Sequence, residues 1–235
     1  MEKSIRTYVM PAIIIVIVGI LTITTRLWLV EAYYMPIAFI IMLLIMVPRF
    51  IAFERSELQA RETILIAIFA GLATVARIPF AGLPSIQPTS SIIILSALIF
   101  GPNTGFMVGA IAALASNVVL GQGPWTPWQM FAWGMMGYII GQLAIRNWVK
   151  NRISLCIWGF TLGILYGWVM NLWFLLGFVK PITWASVLTV YGSSFYFDLM
   201  HGLSNAILIY VLYKPWHKVL GRIQLKYGLI NTKLK

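Results

Sequence analysis

The sequence predicts an all-α integral membrane protein, and three observations lead to that prediction. Of its 235 residues, 60% are hydrophobic and only 10% are charged, whereas a soluble domain carries about 25% charged residues. The hydrophobic residues form long runs, many of them near the roughly 20 residues that a helix needs to cross a bilayer. The Lys and Arg residues lie mainly at the ends of these runs. A chain of this composition needs the bilayer as its solvent.

Eight candidate membrane spans follow one another along the chain. The first follows Lys3 and Arg6, as the apolar run of a signal peptide would. It is too long for one and no small-residue cleavage pattern follows it, so we interpret it as a retained helix. The run 88–101 is short enough to be tilted or partly re-entrant. The predicted spans are residues 8–29, 33–52, 62–80, 88–101, 104–120, 126–145, 153–178 and 188–213.

A charged segment divides these spans into two groups. It runs from Arg49, near the end of the second span, to Glu62, at the start of the third, and contains three arginines and three glutamates. We therefore predict an N-terminal helix pair over residues 1–52 and a linker over residues 53–60. A six-helix membrane domain then covers residues 61–213, and a basic tail covers residues 214–235.

The positive charges predict the topology, because cytoplasmic loops are enriched in Lys and Arg. With the N-terminus inside, only Arg26, Arg77 and Lys180 of the 17 Lys and Arg residues fall on the outer side. We expect both termini in the cytoplasm of a bacterial cell, with the chain in its cytoplasmic membrane. This distribution explains the net charge of +11 without a nucleic-acid partner, and anionic lipid is the expected neighbour.

The two outer loops in residues 77–90 and 121–130 have an unusual composition. Their prolines and glycines predict stiff, non-helical caps at the membrane edge. Their side chains offer amide groups and flat indole faces to a ligand. We predict a ligand lid, although the tryptophans are also typical of the aromatic belt at a membrane interface. The candidate residues are Arg77, Gln87, Gln122, Trp125, Trp128 and Gln129.

Polar residues also lie deep in the last span. Asp198 is about ten residues from its outer end, about 15 Å deep, where a carboxylate costs roughly 2.5–3.5 kcal/mol unless it faces the bundle interior or a wet cavity. Asp198, His201 and Asn205 share one helix face. Two interpretations remain open: the first two residues pair and hold the bundle together, or they form the floor of a substrate cavity. Asn171 and Tyr196 complete the predicted substrate site.

Several enzyme classes are excluded by spacing and composition. Ser194, Asp198 and His201 suggest a catalytic triad, but on one helix Ser194 and His201 are about 10.5 Å apart in rise. The two histidines and the single cysteine cannot assemble a zinc site. No phosphate-binding loop is present, so ATP hydrolysis would have to come from other chains. We predict a protein that is not an enzyme and needs no cofactor.

The third span carries small residues three and four positions apart. Ala67 with Gly71, and Ala70 with Thr74, give the spacing that lets membrane helices approach closely. This stripe predicts either close internal packing or a docking surface for a partner.

The six-helix unit resembles the substrate-binding S component of energy-coupling factor (ECF) vitamin transporters. The alanine-rich third span, the run QPTSSIIILSALIFGPNTGFMVGAIAALASN over residues 87–117 and the block GQGPWTPWQMFAWG over residues 121–134 carry the resemblance. That block most resembles the cobalamin-type members. The N-terminal helix pair is additional to the family's usual six helices.

The resemblance implies capture of a vitamin from outside, cobalamin or a related corrinoid, with another vitamin as the alternative. It implies association with an EcfT-type coupling protein and two EcfA-type ATPases, and toppling in the membrane to release the cargo inside. In the family an Ala-xxx-Ala stripe meets the coupling protein, and it maps here onto Ala67/Gly71 and Ala70/Thr74, where Gly and Thr replace the second alanine.

A transporter of a different class remains a second hypothesis. A self-contained secondary transporter would use Asp198 and His201 as a proton relay. It would move solute without partner subunits, whereas an S component would not.

Overall fold

The computed structural model describes residues 34–54 and 60–227, and the secondary structure of this part is helical. The prediction of an all-α membrane protein is confirmed. The helices are α1 (Tyr34–Glu54), α2 (Ala60–Arg77), a 3-10 turn (Ile78–Phe80), α3 (Pro88–Phe100), α4 (Pro102–Leu120), α5 (Thr126–Ile145), α6 (Arg152–Phe178) and α7 (Trp184–Tyr227).

Seven of the eight predicted spans match these helices, and the span 8–29 lies outside the described residues. The largest difference is at the C-terminus, where α7 continues through the predicted end at residue 213 to Tyr227. The added residues hold no glycine before Gly221, and Pro215 is accommodated within the helix. Four segments in the described part are long and apolar enough to cross a membrane: Thr63–Phe80, Pro102–Leu120, Arg152–Phe178 and Trp184–Trp216.

Helix α3 forms the centre of the bundle. All 13 of its residues are buried, and its length of about 20 Å is too short for a bilayer. The Thr89 hydroxyl donates to the Ala73 carbonyl over 2.9 Å, so α3 begins a full turn deeper than Arg77, where α2 ends. Because protein surrounds α3, a short helix and an irregular connection are tolerated at membrane depth.

The helices pack as close pairs. A Cβ at Gly109 of α4 would overlap the Trp133 backbone of α5, and a Cβ at Gly163 of α6 would meet the Gly202 backbone of α7. The missing side chains let the α4–α5 and α6–α7 backbones approach to contact distance.

Helix α1 packs onto the six-helix unit. Met46 is buried, Phe50 meets Phe106 of α4 edge to face at 5.8 Å, and the Arg49 guanidinium lies 4.0 Å from the centre of the Tyr138 ring of α5. The described half of the predicted N-terminal pair is therefore attached to the bundle through its C-terminal end.

Candidate functional site

Three connections lie at one end of the bundle, here called the outer end in accordance with the predicted topology. They are residues 78–87, 121–125 and 179–183. Helices α2, α4 and α6 end here, and α3, α5 and α7 begin here. The predicted lid residues and deep polar residues are therefore supplied by helices that share this end.

Arg77 connects three helix ends. One terminal nitrogen of its guanidinium donates to Ser116 Oγ at 2.6 Å and to Asn117 Oδ1 at 2.7 Å. The Asn117 amide donates to Gln129 Oε1 at 2.8 Å and to Thr126 Oγ1 at 3.0 Å. The charge lies at the C-terminal ends of α2 and α4, where helix dipoles favour a cation. These bonds hold the guanidinium in a fixed orientation.

A buried aromatic cluster lies against this network. The Trp133 ring is 4.8 Å below the Arg77 guanidinium, and its N–H donates to Ser90 Oγ at 2.9 Å. Ser90 Oγ also lies 2.8 Å from Nε2 of His201. The Tyr166 ring packs 4.9 Å from the Trp133 ring and 4.8 Å from the His201 ring. Residues from α2, α3, α5, α6 and α7 thus meet at one point.

Asp198 belongs to a second polar cluster between α6 and α7. Its Oδ2 accepts hydrogen bonds from Asn171 Nδ2 and Ser194 Oγ, both at 3.1 Å. Asn171 also donates to Ser194 at 2.6 Å. The carboxylate packs directly on Gly167, where a Cβ would overlap it. In the described part of the chain no Lys, Arg or His forms an ion pair with Asp198.

A cavity of about 400 Å³ lies between α5 and α6 and reaches α7. Its walls are mostly apolar and aromatic, and Tyr166 belongs both to these walls and to the buried aromatic cluster. Trp168 and Leu172 line it on either side of Asn171 in sequence. Its walls include Phe131, Met135, Met136, Tyr166, Trp168 and Tyr191.

The structure brings together several of the predicted site residues. Arg77 and Gln129 lie in the outer network, His201 lies in the aromatic cluster, and Asn171 and Asp198 lie in the second polar cluster. Asp198 and His201 have separate hydrogen-bond partners. The interpretation in which these two residues pair with each other is not supported.

Other lid residues have more local contacts. Gln122 donates to the Leu114 carbonyl and accepts from Thr126, each at 2.9 Å. Trp125 meets Trp173 of α6 edge to face at 6.0 Å, so its connection reaches the α6–α7 pair. Trp128 is buried, and Oε1 of Gln87 is buried without a hydrogen-bond partner.

Tyr196 is separated from both clusters. Its side chain is 62% exposed and packs against Phe197 on the surface of α7 that faces away from the bundle. It follows Phe195 and precedes Phe197, which are also exposed. This face is typical of contact with lipid, so the structure does not bring Tyr196 to the predicted site.

Sequence reasoning missed Ser90, Asn117, Trp133 and Tyr166. Three of them lie inside the two blocks that carried the family resemblance, but no periodicity distinguishes them from packing residues. Tyr166 lies in an apolar run, and only the approach of α6 to α3 and α5 gives it a role.

The predicted docking stripe on α2 needs a correction. Ala67 and Gly71 are exposed, and the space beyond Gly71 is open. Ala70, in contrast, is 1% exposed and packs inward. The Thr74 hydroxyl donates to the Ala70 carbonyl at 2.8 Å. Ala70 therefore cannot belong to an exposed docking face, because a turn of 100° per residue directs it to the core.

Comparison with known proteins identifies relatives. The model of the family "ECF-type riboflavin transporter, S component" matches residues 60–218. A UPF0397 protein of Aliivibrio fischeri is 33% identical over 103 residues, 42% of this chain and 55% of the relative. One from Vibrio atlanticus is 30% identical over 101 residues, 41% of this chain and 54% of the relative. One from Clostridium perfringens is 35% identical over 77 residues, 32% of this chain and 40% of the relative.

The chain spans about half the length of the curated relatives from Aliivibrio and Vibrio. No solved structure matches it.

Proposed function

This chain belongs to the family of S components of ECF-type riboflavin transporters, and on that premise we propose that it captures a flat heteroaromatic vitamin of riboflavin's size. The vitamin enters at the outer end and is delivered inward with an ATP-driven coupling module. The chain itself binds the solute and hydrolyses nothing.

The observation that carries this proposal is the cavity between α5 and α6 next to the Asp198 cluster. Its methionine and aromatic walls suit a planar ring system. Ser194 of that cluster donates to the backbone carbonyl of Tyr191, which lines the cavity, and Asn171 donates to Asp198 in the same cluster. Asn171, Ser194 and Asp198 supply both donors and acceptors for hydroxyl groups on the solute. An apolar pocket with a few convergent polar groups is the usual form of a small-molecule site.

Cavity size and family name favour a vitamin of two or three fused rings over a corrinoid. Ligand pockets range over about 300–1,000 Å³, and this cavity, about 400 Å³, lies near the small end. A corrinoid with its amide side chains needs far more room. The family description names riboflavin. Cobalamin therefore serves as the contrasting probe in the binding experiment.

Partner subunits belong to the same proposal. An EcfT-type coupling protein docks on the exposed face of α2 around Ala67 and Gly71, where a flat helix surface permits close approach. Two EcfA-type ATPases supply the energy. Ile64, Ile68, Leu72 and Val75 are exposed on α2 and extend the apolar surface.

Ligand binding tests the proposal directly. Purified full-length chain in nanodiscs is titrated into riboflavin, whose fluorescence is quenched when its ring stacks on aromatic side chains, and cobalamin is titrated separately by absorbance. We expect riboflavin to bind and cobalamin to fail. Binding of cobalamin without binding of riboflavin would overturn the proposed ligand class. Transport by the isolated chain in liposomes under a proton gradient would overturn the S-component role.

A further inference from the structure

Arg77 is a charged residue at the outer end, and among the described residues no carboxylate forms an ion pair with it. In the described part of the chain, Glu54 and Glu62 lie at the opposite end of the bundle, and Asp198 is held by Asn171 and Ser194. An ionisable residue within a membrane bundle is costly unless it has a partner, and it therefore marks a functional site.

The guanidinium retains hydrogen-bonding capacity. Arginine has five N–H donors in a planar fork. Within residues 34–54 and 60–227, Ser116 and Asn117 engage one terminal nitrogen. The other terminal nitrogen and Nε have no hydrogen-bond partner among the described residues, so three donors remain for a ligand.

The position of these donors is fixed. Ser116 and Asn117 hold one edge of the guanidinium, and the Trp133 ring supports its face. Arg77 is only half-buried, and residues 81–84 of the adjacent connection are exposed. A ligand approaching from the outer end would therefore meet a pre-organised fork.

A second positive feature lies next to the fork. The indole under Arg77 donates to Ser90 in the first turn of α3, so the N-terminus of this buried helix is adjacent to the guanidinium. Its N-cap residue, Gln87, makes no side-chain capping bond. In the same turn Ser91 is fully buried and its hydroxyl has no partner. A helix N-terminus attracts anions through its free N–H groups and its dipole.

We propose that the solute carries an anionic group, a phosphate or a carboxylate, and that Arg77 binds it. The planar fork matches the oxygen pairs of these groups, which can accept two parallel hydrogen bonds. Tyr166 lines the cavity and packs on Trp133, whose ring lies under Arg77, so the cavity and the guanidinium border the same aromatic cluster. This inference deepens the proposed function and rests on it.

Riboflavin and riboflavin 5′-phosphate form a matched pair of probes, since they differ only by the phosphate. Their dissociation constants are measured by flavin fluorescence with the full-length chain in nanodiscs of neutral lipid, where no anionic headgroup competes. The variants are Arg77→Gln, Arg77→Lys and the control Arg152→Gln. Arg152 lies over Tyr210 at the start of α6, at the other end of the bundle.

We expect the wild-type chain to bind the phosphate ester at least about tenfold more tightly, as for a charge-assisted hydrogen bond. Arg77→Gln should remove this preference, Arg77→Lys should keep part of it, and Arg152→Gln should keep all of it. Equal binding of the two flavins, or a preference that survives in Arg77→Gln, overturns the anion inference and leaves the proposed function standing.

Binding of neither flavin overturns the proposed function, and the anion inference with it. Size-exclusion chromatography shows whether each variant is folded. If Arg77→Gln does not fold, the Arg77→Lys variant tests the anion inference, because lysine keeps the positive charge and lacks the planar fork of N–H donors. An undiminished preference in Arg77→Lys would then overturn bidentate binding.

Discussion

Nε2 of His201 and Oγ of Ser90 lie 2.8 Å apart, although 111 residues separate them in the sequence. Ser90 also accepts the Trp133 N–H. Its hydroxyl therefore joins the central helix α3 to α5 and α7. It is the hydrogen-bond partner of two buried polar groups, the Trp133 N–H and Nε2 of His201.

Replacement of this hydroxyl should lower stability. Ser90→Ala leaves the Trp133 N–H and His201 Nε2 without their partner in the bundle centre, which should cost about 1–3 kcal/mol per unsatisfied group. Thermal unfolding in detergent, followed by tryptophan fluorescence, measures the change. Ser193→Ala is the control, because the exposed Ser193 bonds only to the Val190 carbonyl of its own helix. Equal melting temperatures for the two variants would contradict the proposed contribution of Ser90.

A pair of glycine substitutions tests the α6–α7 packing. Gly163→Ala places a methyl group 2.8 Å from the Gly202 backbone, so the helices must separate and the melting temperature should fall. Gly192→Ala meets open space in the same hairpin, and alanine favours a helix by about 0.5–1 kcal/mol over glycine. Its melting temperature should stay the same or rise. A fall for both variants would show that helix separation is not the cause.

The Asp198 cluster should determine affinity for the solute. Asp198→Ala and Asn171→Ala each remove hydrogen-bonding groups of the cluster that contacts the cavity-lining Tyr191 through Ser194, and we expect riboflavin affinity to fall about tenfold or more. Tyr196→Ala is the matched control on the same helix, because Tyr196 lies on the exposed face. Flavin fluorescence titration compares the three variants. Unchanged affinity in both cluster variants would remove Asp198 and Asn171 from the site.

Partner docking can be separated from folding on α2. Gly71→Trp adds a bulky group to an exposed position with open space around it, so the chain should fold and still bind its solute. Co-purification with the coupling protein and the ATPases should be lost, because a flat helix surface is needed for close approach. Val118→Trp, on an exposed face of α4, is the control and should retain the partners. Loss of partners in both variants, or in neither, would contradict docking at Gly71.

The proton-relay hypothesis makes the opposite prediction for transport. His201 bonds to Ser90 and Asp198 bonds to Asn171 and Ser194, so the two groups do not form a continuous relay. We therefore expect the isolated chain in liposomes to take up no riboflavin when a proton gradient is imposed. Addition of the coupling protein, the ATPases and ATP should start uptake, which a radiolabelled solute would measure.

Most of the described helices could be predicted from the sequence because each one is a long apolar run, although α3 is shorter than a bilayer is thick. The prolines at 88, 102 and 127 and the glycines at 101 and 121 mark helix boundaries by fixing or freeing the backbone. The C-terminal end of α7 was less predictable. The apolar run ends at the membrane surface, whereas the helix continues as long as its backbone hydrogen bonds are favourable.

The candidate site was only partly predictable. Asp198 and His201 were recognised because polar groups are costly in a membrane, and Arg77 and Gln129 because the composition of their loops is unusual. Ser90, Asn117 and Tyr166 were not recognised, since serine, asparagine and tyrosine in apolar helices also serve as packing or interface residues. Ala70 was assigned to the docking stripe from residue spacing and from the family resemblance, and its burial in the structure corrects this.

The sequence by itself determined the solvent of this protein, the approximate limits of most of its described helices and the family of its membrane domain, because these depend on local composition and order along the chain. Only the tertiary structure decided which polar residues meet, that Asp198 and His201 have different partners and that Ala67 and Gly71 of α2 are exposed whereas Ala70 is buried. These relationships depend on the rotation of each helix about its axis and on the distance between helices. Contacts between residues far apart in the sequence determine both.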